Sequence, residues 1–341
     1  MIYVKKPGLL STLQDQGRIG YQKHGVIMSG VMDPVSPRIA NLLVGNDENE
    51  VVLEITMLGP TLVFEQNTII ALCGGDLSPR IDGSPIKQWS PIFVKKGSTL
   101  TLGQAQQGCR VYLAVAGGFQ VPKVMGSKST YLRAGIGGYK GRAIQAQDNL
   151  SIGTPSPTIE TKIKELEEQT TNNERFLEMK WYVASEFAAP FQSKSSHPIR
   201  VIKGREYDLF TQESQQSLFS ESFTISSQSD RMGYRLEGST LPLNNEISLK
   251  SEAVAFGTIQ VPSNGQPILL MADRQTTGGY PKIAQVATVD LPVLAQLKPG
   301  TTITFEEISL EKAQKLYLER EANLQQLAQG IHLKSIQEGF R

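Results

Sequence analysis

Short apolar runs cut by turn residues fill the first half of the chain. Val51-Val52-Leu53-Glu54-Ile55, Thr61-Leu62-Val63-Phe64, Thr68-Ile69-Ile70-Ala71-Leu72, Ile92-Phe93-Val94 and Val111-Tyr112-Leu113-Ala114-Val115 are separated by Gly, Pro, Asp and Asn. Runs of this length between breakers predict strands. Few helical patterns lie between them, which argues for a barrel or sandwich over a parallel α/β sheet. Asp82-Gly83 predicts a hairpin turn. One helix is predicted over Pro34 to Leu43, with Asp33 as its cap, Pro34 in its first turn and Gly45-Asn46 as its stop.

The pattern changes after residue 153. Thr154-Pro155-Ser156-Pro157 breaks the strand rhythm, and Ile159, Ile163 and Leu166 then fall on one helical face among Lys and Glu. Gln169 to Asn173 is polar and reads as loop. Strand signals return with Arg200-Val201-Ile202, Phe223-Thr224-Ile225, Ile247-Ser248-Leu249, Ile268-Leu269-Leu270 and Thr302-Ile303-Thr304-Phe305. From Ser309, a candidate N-cap, Ala313, Leu316, Leu324, Leu327 and Ile331 form a helical apolar stripe. The expected organisation is a first β-barrel domain at 1–153, a linker with a surface helix at 154–196, a second barrel at 197–308 and a helical tail at 309–341.

Charge narrows the function. The 341 residues carry 34 basic and 33 acidic side chains, a formal charge of +1. That balance offers no electrostatic case for nucleic acid or an anionic membrane. No apolar stretch approaches the ~20 residues that span a bilayer, and the N-terminus lacks the apolar region of a signal peptide. A soluble, cytoplasmic protein is the default expectation. Cys73 and Cys109 each sit in an apolar run and read as buried, reduced thiols. His24, His197 and His332 lack metal-ligand spacing, so no metal site is expected.

Candidate chemistry sits where apolar runs end in polar clusters. The richest is Met271-Ala272-Asp273-Arg274-Gln275-Thr276-Thr277-Gly278-Gly279-Tyr280-Pro281-Lys282. So many polar groups beside a core strand are costly to bury unless each finds a partner. Others are Gln14-Asp15-Gln16-Gly17-Arg18, Met32-Asp33-Pro34, Cys73-Gly74-Gly75-Asp76 and Ser229-Asp230-Arg231-Met232-Gly233-Tyr234-Arg235. Arg231 and Arg235, four positions apart, share a face in a helix or a strand. Two guanidiniums on one face suit a carboxylate or phosphate; the plainer alternative is a salt-bridged surface strand.

At these clusters the chain resembles the carboxyltransferase A/B-type family, which includes the KipI antagonist KipA, the C subunit of 5-oxoprolinase and part of the urea amidolyase carboxyltransferase region. The resemblance is carried by Thr12 to Arg18, Gly30 to Asp33, Cys73 to Asp76, Ala114 to Phe119, Leu132 to Gly138, Ser229 to Gly238 and Met271 to Ala284. It covers residues 1 to about 308. It implies cyclophilin-like β-barrel domains in a mainly β fold with few helices and a C-terminal helix. It also implies a KipI-type partner, the B subunit of 5-oxoprolinase, together with the A subunit, and ATP-dependent opening of 5-oxoproline to glutamate. Two alternatives stay open under the same resemblance: a KipI antagonist that relieves inhibition of a sporulation histidine kinase, and a biotin-dependent carboxyltransferase acting on urea or a related amide.

Both enzymatic readings handle a planar amide. Charge developing on it calls for preoriented donors, and a proton must move. Asp15, Asp33, Asp273, Tyr280 and Lys282 are the catalytic candidates. Arg18, Asp76, Arg231, Arg235, Arg274, Gln275 and Thr276 are the substrate-binding candidates. ATP, with or without Mg, is the implied cofactor, on this chain or shared with the partner. Biotin enters only with the carboxyltransferase alternative, carried by another chain.

Two segments imitate cofactor motifs. Gly126-Ser127-Lys128-Ser129-Thr130 lacks the glycine directly before lysine, and the second glycine five positions earlier, that a phosphate loop requires. Met179-Lys180 imitates a biotin attachment pair without the tight hairpin of a carrier domain, and Lys180 reads as an ordinary lysine.

Overall fold

The computed structural model describes residues 1–171, 174–184, 187, 198–245 and 247–337, of which 335–337 are described by backbone only. Asn172, Asn173 and His197 lie outside the described residues. The chain divides into two compact units. One comprises Met1–Gly17, Asp33–Gln192 and Asn323–Arg341; the other comprises Arg18–Met32 and Ser193–Ala322.

The first unit holds two six-stranded sheets. One orders its strands Asn149–Leu150, Ile2–Lys6, Thr61–Phe64, Thr99–Thr101, Arg80–Ile81 and Ser84–Pro85. The other runs Phe176–Glu178, Ile92–Val94, Thr68–Asp76, Gln107–Val115, Val52–Thr56 and Leu10–Gln14. Leu13, Leu53, Ile55, Ile70, Leu72, Val111 and Leu113 from the second sheet join Ile2, Val4, Leu62, Phe64 and Leu100 from the first in one buried apolar cluster. Asp82 and Gly83 both take positive φ, 47° and 84°, the geometry of a tight hairpin whose twist matches its strands. The helix Ser36–Leu43 starts two residues later than the pattern suggests, and Asp33 supplies its cap: Oδ1 accepts from the amides of Val35 at 2.9 Å and Ser36 at 3.2 Å.

The surface helix forms at Pro157–Gln169, with Leu166 as its buried residue. The segment beyond it is more than a linker. Phe176–Glu178 adds an edge strand beside Ile92–Val94, and Met179 and Val183 are buried. No alternating run announces this strand, because all three of its residues are only half-buried.

The second unit is an eight-stranded sheet in the order Thr302–Ile303, Phe223–Ile225, Gly233–Glu237, Ile268–Leu270, Thr258–Gln260, Lys282–Val286, Ile199–Lys203, Phe305–Glu307. Its two end strands are consecutive in sequence, separated by Thr304. Ile303 pairs with Phe223 while Phe305 pairs with Ile199, so the sheet nearly closes into a barrel. Phe223 and Phe305 pack 5.7 Å apart inside it. The run expected at Ile247 to Leu249 is not a strand; Ile247 is exposed. Pairing occurs instead at Glu252–Ala253 with Thr277–Gly278. The helix Gln212–Ser220 was not legible in the pattern, since only Ser214 and Leu218 on it are buried; Thr211 caps it by accepting from the Ser214 amide. The tail is one helix, Leu310–Gln337, with the Ser309 hydroxyl accepting from the Lys312 amide. The chain is thus mainly β, as expected from the pattern.

Candidate functional site

In the second unit, Gly233 pairs with Leu270 across two antiparallel strands. The ladder extends past both strand ends: the Met271 amide donates to the Met232 carbonyl at 2.9 Å, and the Asp273 amide to the Arg231 carbonyl at 2.8 Å. That register brings Arg231 and Asp273 together although they lie 42 positions apart. Arg231 Nε donates to Asp273 Oδ2 at 2.9 Å and Nη2 to Oδ1 at 3.1 Å, a two-pronged pair with both residues buried. Nη2 also donates to the Gly30 carbonyl. Asp230 shapes the approach, its Oδ1 accepting from the Met232 amide at 2.8 Å.

Arg235 does not share this environment. Regular strand begins only at Gly233, so the four-residue spacing does not carry a common face back to Arg231. Arg235 alternates with buried Tyr234 and Leu236 and is exposed. The expected pair of guanidiniums on one face is not formed.

Arg274, next to Asp273, is held by longer contacts. Nε donates to the Val254 carbonyl and Nη1 to the Met271 carbonyl, both at 3.4 Å; Nη2 lies 3.6 Å from Met28 Sδ, and the guanidinium sits 5.8 Å from the Phe256 ring centre. Burial pulls its pKa down to about 10, against the attraction of Asp273. Gln275 and Thr276 are half-buried, and the Thr276 carbonyl accepts from the Val254 amide. Tyr280 is exposed, and its carbonyl accepts from Gln260 Nε2 at 3.3 Å. Lys282 points into a carboxylate cluster, with Nζ 3.6 Å from Glu206 Oε2 and 3.5 Å from Glu252 Oε2. Its amide also donates to Glu206 at 3.0 Å. Arg18 is fully buried, and its amide donates to the Met28 carbonyl at 2.7 Å. Residues 18–32 therefore supply Gly30 to Arg231 and Met28 to Arg274.

The first unit holds three of the candidate aspartates in separate settings. Asp15 Oδ1 accepts from the Gly17 amide at 2.9 Å, Ser127 Oγ at 2.6 Å and Ser129 Oγ at 2.5 Å, while Oδ2 accepts from the Lys128 amide at 2.6 Å. Asp33 is fully buried; besides capping the helix it accepts from Ser36 Oγ, and its own amide donates to the Tyr112 hydroxyl at 2.9 Å. Burial, then the carboxylate of Asp33, push the Cys73 thiol well above its ordinary range, which leaves it inert as a nucleophile. Asp76 turns its own loop, accepting from the Ser78 amide at 2.7 Å.

The segment Gly126 to Thr130 is an anion cradle whose anion is Asp15. The Ser127 and Ser129 hydroxyls and the Lys128 amide face that carboxylate, Thr130 Oγ1 donates to the Leu13 carbonyl at 2.9 Å, and Lys128 Nζ donates to Glu50 Oε1 at 2.5 Å. These donors are committed, so the loop does not fit a nucleotide phosphate. Among the described residues no group of three or more His, Cys, Asp or Glu could hold a metal ion, and no helix is long and apolar enough to cross a membrane.

Sequence reasoning missed Gly30, Ser127, Ser129, Glu206 and Glu252 as partners of candidate residues. Only the residue types were legible; the Arg231–Gly30 pairing spans 201 positions and the Arg274–Met28 contact 246.

Strand-end loops presenting an aspartate clamped by an arginine, on a sheet that nearly closes on itself, define a barrel-built β protein with an ion-paired carboxylate at the end of its sheet. The chain belongs to the carboxyltransferase domain family, subdomains A and B, whose profile matches residues 24–307. It is 40% identical to the 5-oxoprolinase C subunit of Escherichia coli K12 over 97% of this chain and 99% of that one. It is 38% identical to the protein of the same name from Haemophilus influenzae, over 95% and 97% of the two chains. The crystal structure of Kluyveromyces lactis urea amidolyase superposes with a TM-score of 0.82 at 30% identity, covering 95% of this chain but 20% of the larger enzyme.

Proposed function

We propose that this chain is the C subunit of an ATP-dependent 5-oxoprolinase, acting with a KipI-type B subunit and with the A subunit to open 5-oxoproline to L-glutamate. The observation that carries the reading is end-to-end similarity to proteins of that name: both chains are matched over nearly their whole lengths. The likeness to urea amidolyase covers only a fifth of that enzyme, so urea carboxylation would need machinery this chain does not supply.

Ring opening adds water across the lactam C–N bond. A proton leaves the attacking water and one reaches the departing nitrogen. In this reading Asp273 handles the proton. It stands on a strand-end loop, fixed in orientation by Arg231, with the side chains of Gln275 and Thr276 close by in sequence to hydrogen-bond an amide. Arg274, whose own contacts are all long, is the cation able to approach the carboxylate of 5-oxoproline. Lys282 neutralises Glu206 and Glu252, and Asp15 orders the 127–129 loop. The reaction needs ATP, and the 126–130 loop, whose donors are committed to Asp15, does not fit its phosphates.

The test is reconstitution. The chain, co-expressed with its KipI-type partner and the A subunit, should form glutamate from 5-oxoproline with ATP, and omission of this chain should abolish turnover. Full turnover without it would sink the reading. A purely regulatory KipI antagonist would bind the partner and leave turnover unchanged by substitutions at Asp273.

A further inference from the structure

Arg231 does not hold the position of a substrate-gripping arginine. Its side chain is 6% exposed, and its fork is spent on the two oxygens of Asp273 and on the Gly30 carbonyl. We propose that Arg231 is a positioning residue for Asp273, and that residues 18–32 set the geometry of that carboxylate through it. The inference rests on the reading of Asp273 as the proton-handling group.

Three observations converge. First, a planar fork that meets both carboxylate oxygens fixes the rotation of the carboxylate plane, which a lysine ammonium cannot do. Second, a buried ion pair is poor value for stability alone, since well-packed apolar residues serve as well; holding a geometry is what an apolar pair could not supply. Third, residues 28–30 grip both members of the Asp273-Arg274 dipeptide, Gly30 through Arg231 and Met28 through Arg274. Their backbone is specialised for it: Ser29 and Gly30 both take positive φ, 54° and 91°. A residue with a Cβ at Gly30 is strained at that φ and would re-aim the carbonyl that Arg231 uses.

The test compares the wild-type complex with complexes carrying Arg231→Ala, Arg231→Lys and Gly30→Ala, with kcat and KM separated. Misplacing a reacting group by about 1 Å costs about 10²-fold, so Arg231→Ala should lose that much kcat with little change in KM. Arg231→Lys should fail to restore it, and Gly30→Ala should lower kcat in the same way. Millimolar guanidinium chloride, well below denaturing levels, should partly restore Arg231→Ala, while methylammonium should not. A rise in KM at unchanged kcat would overturn the proposal and make Arg231 a substrate contact. Wild-type kcat in Arg231→Ala or Gly30→Ala would also overturn it. If the wild-type complex makes no glutamate, the functional reading fails, and the crystal structure of Arg231→Ala decides the positioning by itself. Asp273 and residues 28–30 found in their wild-type places would overturn it.

Discussion

The hydroxyl of Ser129 donates to Asp15 Oδ1 at 2.5 Å, across 114 positions of sequence. With Ser127 and the Lys128 amide it turns a loop that imitates a phosphate cradle into a receptacle for one of the protein's own carboxylates. Asp15→Asn would put an amide NH₂ against donors. Leaving buried donors unmet costs about 1–3 kcal/mol, so the midpoint of urea unfolding should fall measurably. Nucleotide titrated onto the isolated variant should still not bind at this loop. A stable Asp15→Asn chain would show that the cradle carries no structural weight.

Asp273→Asn preserves shape and removes the base. General-base catalysis contributes about 10²–10⁴-fold, so kcat of the reconstituted complex should fall by that order while the variant still co-purifies with its partner. The change also leaves Arg231 without its counter-charge, and the melting temperature should fall as well. Retained turnover in a folded variant would remove Asp273 from the chemistry.

Lys282 can be told apart from a catalytic lysine by charge alone. Glu206 is buried beside it, and Arg205, whose Nε lies 3.9 Å from Glu206, is mostly exposed. Lys282→Met strands Glu206 and should cost about 1–3 kcal/mol. Lys282→Arg should keep both stability and turnover. An Arg variant that is stable yet inactive would restore Lys282 to the reaction.

Stability should respond to acid through Asp148. Arg142 grips its two oxygens at 2.7 Å each, and this hydrogen bonding holds the carboxyl below its ordinary range, with the Gln145 amide adding to the effect against partial desolvation. A carboxyl whose folded pKa is depressed stabilises the fold fully above the unfolded value of about 3.9. That contribution is lost as pH falls below it towards the folded value. Asp148→Asn should therefore lower stability at neutral pH and flatten this part of the acid unfolding curve. An identical acid slope in wild type and variant would contradict the assignment.

Gly141 carries a separate structural prediction. It takes φ of 69°, and a Cβ there would lie 1.9 Å from the Gly135 carbonyl oxygen. Backbone cannot yield as a side-chain tip can, and the left-handed conformation alone costs about 1–2 kcal/mol for an L residue. Gly141→Ala should lower the melting temperature, whereas Gly126→Ala, with open space around it and the same kind of φ, should lower it by the conformational cost alone.

Much of the architecture was legible because it is local. Thr61–Phe64, Ile92–Val94, Phe223–Ile225 and Ile268–Leu270 occur where the apolar runs placed them. The Asp82-Gly83 turn, the Asp33 cap and the Ser309 cap follow from side-chain and backbone preferences acting over two to four residues. Legibility failed where burial is partial. Phe176–Glu178 and Gln212–Ser220 present too few buried residues to set a period, and Ile247 to Leu249 is apolar without being paired.

The candidate site divides in the same way. From the chain alone one could know that Asp15, Arg231, Asp273 and Lys282 stood at the ends of apolar runs and needed partners, because a buried charge without one is costly. Which partner each received was decided by the tertiary structure. The Gly233–Leu270 register delivers Asp273 to Arg231, residues 28–30 come to lie on that pair, and the 127–129 loop reaches Asp15. Side-chain propensities and periodicity act between near neighbours, whereas electrostatic satisfaction acts between whatever residues the packed sheets bring within about 3 Å, and no spacing along one chain encodes that distance.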